Sequence, residues 1–273
     1  MLDAVCSDFA RIAGVEVVSG PVSLAANGDH TLVIAPECNG MLERLSQVVL
    51  DAGGHLLGAA PSAIRLTADK FAMADFWRRR GVATPATLDA REIPDFASPW
   101  VLKPRDGAGS QATYLVADRA GLKQALAAAR TEWQNDLILQ QFIAGQAASV
   151  ALIVGGNETI ALAPTWQTLS RDGRFHYHGG RLPMAGEFGE RAIRLARRAI
   201  AGIDGLRGYV GMDMVLGDNG DDHAIEINPR LTTSYLGLRQ LCRENLAELI
   251  LEAARGRPLK APTWRDGTVE WNV

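Results

Sequence analysis

The sequence predicts a mixed chain, with a small α/β unit in front and a larger α+β body behind it. Three stretches carry that expectation. Residues 31–60 alternate strand, helix and strand. From Ser62 the text changes to an amphipathic helix, then a strand, a glycine loop and another strand. Residues 211–230, G-M-D-M-V-L-G-D-N-G-D-D-H-A-I-E-I-N-P-R, read as two apolar runs joined by a turn-rich D-N-G-D-D, a hairpin.

Taken in order, T-L-V-I-A-P is β-rich and ends at Pro36. M-L-E-R-L-S-Q-V-V-L-D-A has helical spacing and stops at Gly53-Gly54, and H-L-L-G-A-A-P supplies a second short strand. This alternation implies a parallel sheet. The unit is short, as though its opening strand were weak or missing, and reads as a domain that is longer in relatives. T-A-D-K-F-A-M-A-D-F-W-R-R-R predicts one helix closed by Gly81, with Phe71, Ala74 and Trp77 turned inward. W-V-L-K-P-R-D-G-A-G-S-Q-A-T-Y-L-V predicts strand, loop, strand. A helix at 120–133, the strands D-L-I-L-Q-Q-F and S-V-A-L-I-V, and two further strand-like runs follow. Then come a helix at 187–201, the hairpin, and a final helix at about 241–255. Residues 256–273 carry no assignable pattern. The expected division is 1–64 and 65–273.

The chain has 273 residues, 47% hydrophobic and 22% charged, enough apolar content for a sizeable core. A net charge of −3 without a basic stripe argues against nucleic-acid binding. R-R-R at 78–80 and R-R at 197–198 lie on helical patterns and read as solvated faces. No apolar run approaches a membrane span, and M-L-D-A-V-C-S-D-F lacks a secretion signal. Three scattered cysteines (Cys6, Cys38, Cys242) suit reduced thiols, so a cytoplasmic location is expected.

Glu226 and Asn228 are two apart and share a strand face, where Asp213 can meet them from the partner strand. An all-oxygen set of this kind suits Mg²⁺, which takes one or two carboxylates plus substrate phosphates. Arg230 follows as a fixed positive fork for phosphate oxygens. A polar-faced hairpin with an acidic turn is the plain alternative. In V-L-K-P-R-D-G-A-G-S-Q, Lys103 ends a strand and Gly107 and Gly109 let backbone N–H groups approach phosphates. An exposed turn is the alternative there. Lys70 can reach a phosphate from the start of its helix, or lie on the surface. His176 and His178 lack further ligands for zinc, so F-H-Y-H-G-G-R-L-P reads as a substrate-side loop with Arg181 facing a carboxylate or solvent. G-x-S-x-G, G-x-G-x-x-G and G-x-x-x-x-G-K-[ST] are all missing, which weakens hydrolase, dehydrogenase and P-loop readings.

The order D-K, V-L-K-P with its glycine loop, L-I-L-Q-Q-F-I-A-G and D…E-I-N-P-R, over residues 62–255, resembles the ATP-grasp ligases. The front unit is similar to a shortened preATP-grasp domain. The resemblance implies two subdomains gripping ATP between sheets. Lys70 and Lys103 would hold phosphates, with Lys103 and Arg230 acting on the transferring group. The loop Asp106, Gly107, Gly109 and Ser110 would close over them. Gln140, Gln141, Phe142 and Ile143 would meet adenine. Asp213, Glu226 and Asn228 would bind Mg²⁺, with Mn²⁺ allowed in its place. Two positions depart from the family pattern: Gln140 replaces a glutamate, and Ala147 falls where a ribose-binding glutamate is usual. Both put nucleotide affinity and selectivity in question.

Family members join a carboxylate to an amine through an acyl phosphate. L-V-I-A-P-E, Q-F-I-A-G-Q-A-A-S-V and Y-H-G-G-R-L-P look most similar to the ligases of methanofuran-type coenzyme synthesis, which join L-glutamate to tyramine. Small-molecule amino-acid and amine substrates are therefore expected, with no nucleic-acid or membrane partner, and the resemblance allows a homodimer. Arg105 and Arg181 are candidates for the substrate carboxylate, and His178 and Tyr235 for the amine pocket. Another amino-acid or dipeptide ligase, a nucleotide-binding regulator derived from a ligase, and a kinase are the competing readings.

Overall fold

The computed structural model describes every residue of the chain except 93 and 157. Helix α1 (Leu2–Ala10) opens the chain. A two-residue strand β1 (His30–Thr31), helix α2 (Met41–Asp51) and strand β2 (His55–Leu56) follow, and β1 and β2 pair in parallel. The expected strand–helix–strand unit is present, but only the start of T-L-V-I-A-P pairs.

The helix expected over T-A-D-K-F-A-M-A-D-F-W-R-R-R is α4 (Lys70–Arg79), and a separate helix that was not expected, α3 (Pro61–Ala68), precedes it. Asp69 separates the two. Its carboxylate accepts from the N–H groups of Phe71 (3.1 Å) and Ala72 (3.0 Å), so it caps α4. Arg105 clamps the same carboxylate at 2.8 and 2.6 Å. The inward face holds, with Ala74 and Trp77 buried and Phe71 half-buried.

Four short strands form one sheet. They are β3 (Thr87–Asp89), β4 (Trp100–Pro104), β5 (Tyr114–Val116) and β6 (Leu137–Gln141), in the order β3-β6-β4-β5 and all antiparallel. Helix α5 (Arg119–Glu132) packs on it around a separate core that includes Trp100, Leu102, Trp133 and Leu139.

The second sheet is larger. Its strands are β7 (Gln146–Val154), β8 (Thr159–Ala161), β9 (Thr165–Leu169), β10 (Tyr177–Leu182), β11 (Gly208–Leu216), β12 (His223–Asn228) and β13 (Val269–Asn272). The order is β12-β11-β7-β9-β10-β13, with β8 also on β7. Helix α6 (Gly186–Ile200) covers one face, over Val150, Leu152, Val210 and Met212. Helices α7 (Ser234–Leu241) and α8 (Leu246–Ala254) cover the other, over Ala151, Ile153 and Tyr209. Burial on both faces explains why β7 and β11 are almost continuously apolar. The final helix expected at about 241–255 is α8, which starts later because Asn245 caps it by accepting from the Ala247 N–H at 3.1 Å, and α7 ahead of it was not expected.

The tail that carried no pattern supplies β13, an edge strand on β10. H-G-G-R-L-P is therefore a strand and not a substrate loop. Gly179, at φ 139°, leaves room for the tail, since a Cβ there would lie 1.9 Å from the Trp271 carbonyl oxygen.

Candidate active site

On β11, Tyr209, Gly211 and Asp213 alternate onto one face. Tyr209 is covered by the helical layer, while Asp213 lies farther along. Asp213 sits directly opposite Glu226, and Gly211 opposite Asn228. The hairpin thus brings together the three oxygen-bearing residues expected to do so. Asp213 Oδ2 accepts from Asn228 Nδ2 at 2.9 Å, and its Oδ1 accepts from Gln167 Nε2 on β9 at 2.8 Å. Ser149 and Thr165, neighbours of Asp213 across the sheet, share a hydroxyl–hydroxyl bond of 2.7 Å.

Burial raises the Asp213 carboxyl from the ordinary 3.8 to about 7, and the facing Glu226 adds to the effect. Two carboxylates are thus crowded at one place, with the Lys70 ammonium 3.4 Å from Glu226. Among the described residues no three His, Cys, Asp or Glu side chains converge. Two carboxylates plus an amide oxygen still match the hard oxygen set that Mg²⁺ takes, with phosphates completing the shell. The residues fit the ion.

Two lysines face these acids, Lys70 from helix α4 and Lys103 from the four-stranded sheet. Lys70 begins α4, where a cation opposes the helix dipole. It is held instead by the Gly107 carbonyl, to which it donates at 2.6 Å, and by Glu226, at 3.4 Å. Lys103 is buried on β4, and among the described residues it forms no hydrogen bond or ion pair. Desolvation lowers it from 10.5 to about 8, Glu226 opposes that shift, and Lys70 adds to it. Lys70 on α4, Lys103 on β4 and the carboxylates of the larger sheet therefore share one field.

The glycine loop follows β4. Gly109 (φ 68°) and Ser110 (φ 59°) take left-handed backbone. The Ser110 hydroxyl donates to the Phe175 carbonyl at 2.6 Å, docking the loop on the turn before β10. Asp106 Oδ2 accepts from the Asn39 N–H at 3.0 Å. On β6, Gln140 donates its amide to Thr87 Oγ1 at 2.9 Å, leaving its carbonyl as the acceptor. The N–H groups of Gln141 and Phe142 are engaged by the carbonyls of Ala86 (2.8 Å) and Pro99 (3.0 Å), so they are not free for a base. Ile143 continues the segment and is half-buried. Ala147 pairs with Val215, on the same alternating face as Ser149 and Asp213, and has no polar group to offer.

Arg230 forks onto Glu37 of the front unit through Nε and Nη2, the latter at 3.1 Å, with Asn228 Oδ1 at 3.4 Å. Three expectations fail. Tyr235 is 0% exposed in the core under α7 and donates to Asp8 at 2.7 Å, so it lines no pocket. Arg181 alternates with Gly180, the partner of Gln167, and so projects to the sheet face opposite Asp213, beside Glu270 at 4.0 Å. Arg105 is turned to Asp69 and lies over the Phe71 ring. His178 is exposed on the irregular stretch of β10. The sequence reading missed Glu37, Gln167 and Tyr177. Tyr177 accepts from Trp271 Nε1 at 3.0 Å and lies within the field of Asp213. Glu37 and Tyr177 stood in the phrases L-V-I-A-P-E and Y-H-G-G-R-L-P, but no local pattern marked any of the three for this site.

Lysines on α4 and β4 brought against the acids of the β11–β12 hairpin form the arrangement of an ATP-grasp protein. The ATP-grasp domain family matches residues 67–234, more than half of the chain, and the pre ATP-grasp 3 domain matches residues 22–64. The chain belongs to the ATP-grasp family. It is 28% identical over 231 residues to the tyramine–L-glutamate ligase of Methanocaldococcus fervens, covering 85% of this chain and 68% of that one. It is equally identical to the ligase of that name from Methanocaldococcus jannaschii, over 86% of this chain and 65% of the relative. Biotin carboxylase from Campylobacter jejuni shares the fold, with a TM-score of 0.76 at 18% identity, over 89% of this chain and 58% of that one. The chain thus spans about two thirds of the curated relatives' length. No described helix is long and apolar enough to cross a membrane.

Proposed function

We propose that the chain is an ATP-dependent carboxylate–amine ligase that joins L-glutamate to tyramine or a related amine, as in methanofuran-type coenzyme synthesis. Residues 1–64 act as the preATP-grasp domain and 65–273 as the ATP-grasp domain. The observation that carries the reading is the single field shared by Lys70, Lys103, Asp213, Glu226, Asn228 and Arg230. The similarity to the two tyramine–L-glutamate ligases supports the substrate class.

A carboxylate oxygen attacks the γ-phosphorus of ATP. The bond to the β,γ-bridging oxygen breaks and ADP leaves. The amine then attacks the acyl carbon, the acyl–phosphate bond breaks, and phosphate leaves. Asp213, Glu226 and Asn228 would hold Mg²⁺, which supplies charge neutralisation at the phosphates. Lys70 and Lys103 hold the phosphate chain, and Arg230 faces the charge that builds on the transferring group. The loop 106–110 covers the phosphates, and the Gln140 carbonyl accepts from the adenine amino group. The site is cytoplasmic in this reading.

The test is ADP release with Mg²⁺ and ATP, pairing L-glutamate with a panel of amines that includes tyramine and tyrosine, with product masses recorded. ADP release that requires glutamate and one amine, with a new amide mass, is expected. ADP release with other acids alone would move the substrate. Nucleotide binding without turnover on any pair would favour a regulatory protein.

A further inference from the structure

The front unit reaches the site through one short elbow, residues 36–40. Asn39 (φ 54°) and Gly40 (φ 63°) take left-handed backbone in succession. Asparagine accepts that region more readily than most residues. Contacts from distant parts of the chain hold the bend. The Asn39 N–H donates to Asp106 Oδ2 at 3.0 Å, and Asn39 Oδ1 accepts from Asn135 Nδ2 at 2.7 Å. Glu37, the second residue of the elbow, is 1% exposed and takes both arms of Arg230 across 193 positions of sequence.

A buried carboxylate needs a cation, and among the described residues Arg230 is the only one bonded to Glu37. The same pair limits the arginine. A guanidinium on a flexible stem has many rotamers, and a two-point fork selects one. The one selected here carries Nη2 to Asn228 Oδ1, beside Asp213 and Glu226.

We propose that Glu37 is the positioning residue for Arg230, so that the shortened front unit sets the orientation of a phosphate-facing group without touching the reactants itself. The inference rests on the reading of Arg230 as the group that faces the γ-phosphate.

Two variants and two nucleotides test it. Glu37→Gln keeps the shape and removes the charge and one acceptor. Glu37→Asp keeps the charge and withdraws it by one methylene. Calorimetry with Mg²⁺ gives the affinities of wild type and variants for ADP and for a non-hydrolysable ATP analogue. Steady-state kinetics gives kcat and KM for ATP.

Wild type is expected to prefer the triphosphate. In Glu37→Gln that preference should fall about tenfold while ADP affinity stays within about twofold. Its kcat should fall roughly tenfold or more, with KM for ATP changed less than about threefold. Glu37→Asp should fall between the two. An unchanged triphosphate preference in Glu37→Gln overturns the inference. Equal weakening of both nucleotides also overturns it, since that is what a merely structural role would give. A wild type without triphosphate preference does the same. The affinity ratio needs no turnover. A wild type that binds nucleotide but releases no ADP defeats the ligase reading, while the ratio still decides this inference.

Discussion

The two sheets hold their site residues by different means. On the seven-stranded sheet, β11 lies between β12 and β7 and pairs with β7 at nine positions. Asp213 is fixed by Gln167 and Asn228, and Arg230 by Glu37. On the four-stranded sheet the strands are short. Among the described residues, Lys103 is held by burial alone. The glycine loop is held by a few bonds, chiefly Lys70 to Gly107 and Ser110 to Phe175, each at 2.6 Å, with Arg174 to Glu132 at 2.7 Å on the neighbouring turn and Arg174 over the Tyr114 ring at 4.0 Å. The difference is one of frame. Like charges kept together need a rigid one, and segments held by few bonds open at less cost.

The largest break in this comparison comes from the rigid side. Asp213→Ala or Glu226→Ala should lower ADP release at least about a hundredfold, roughly 3 kcal/mol of transition-state stabilisation. The melting temperature of Asp213→Ala should hold or rise, because that change relieves the crowding of two carboxylates. Full turnover in a folded variant would remove these acids from the role assigned to them.

An effect of similar size should appear in metal-free stability. Asp213 titrates at about 7 folded against 3.8 as the ordinary value, because of burial first and Glu226 second. The folded state therefore binds this proton more tightly than the unfolded state. Its contribution to stability is complete below the unfolded value, about pH 4, and is lost as pH rises through 7. Denaturant melts in a chelator should show wild type losing on the order of 3 kcal/mol relative to Asp213→Asn across that window. Parallel curves for the two proteins would contradict the crowded-acid account.

The mobile side should respond more gently. Arg174→Ala removes a partly exposed ion pair and the contact with Tyr114, worth about 1 kcal/mol. Nucleotide should dissociate several-fold faster in stopped flow, with turnover at saturation changed little. Unaltered dissociation would show that the loop is held elsewhere. The smallest effect belongs to Arg181→Ala. With the side chain 55% exposed and on the far face, substrate KM should move by less than about twofold and stability by about 0.5 kcal/mol at most. A large rise in KM would restore Arg181 to the substrate site.

The same contrast separates what was legible from what was not. Asp213, Glu226 and Asn228 were readable because strand alternation and a short turn place them together without outside help. The starts of two helices were harder. Asp69 and Asn245 are good caps, but each stands a few residues inside the helical pattern that the chain offers. Asp69 wins with Arg105 clamped on its carboxylate, and Asn245 with its amide donating to the Asp8 carbonyl at 2.7 Å. The tail had no period because it is one short edge strand. Its fit depends on Gly179, some ninety positions upstream.

By itself the sequence determined the α/β front, the strand–loop–strand with Lys103, and the acid hairpin. Each rests on interactions between near neighbours, whose spacing is written in the chain. Only the tertiary structure decided that Tyr235 is core, that Arg181 faces away, that Arg105 is engaged by Asp69, and that Glu37 and Gln167 hold the charged groups of the site. Those outcomes depend on which buried charge or donor finds a partner when distant segments meet. Desolvation makes that pairing necessary, and no local pattern names the partner.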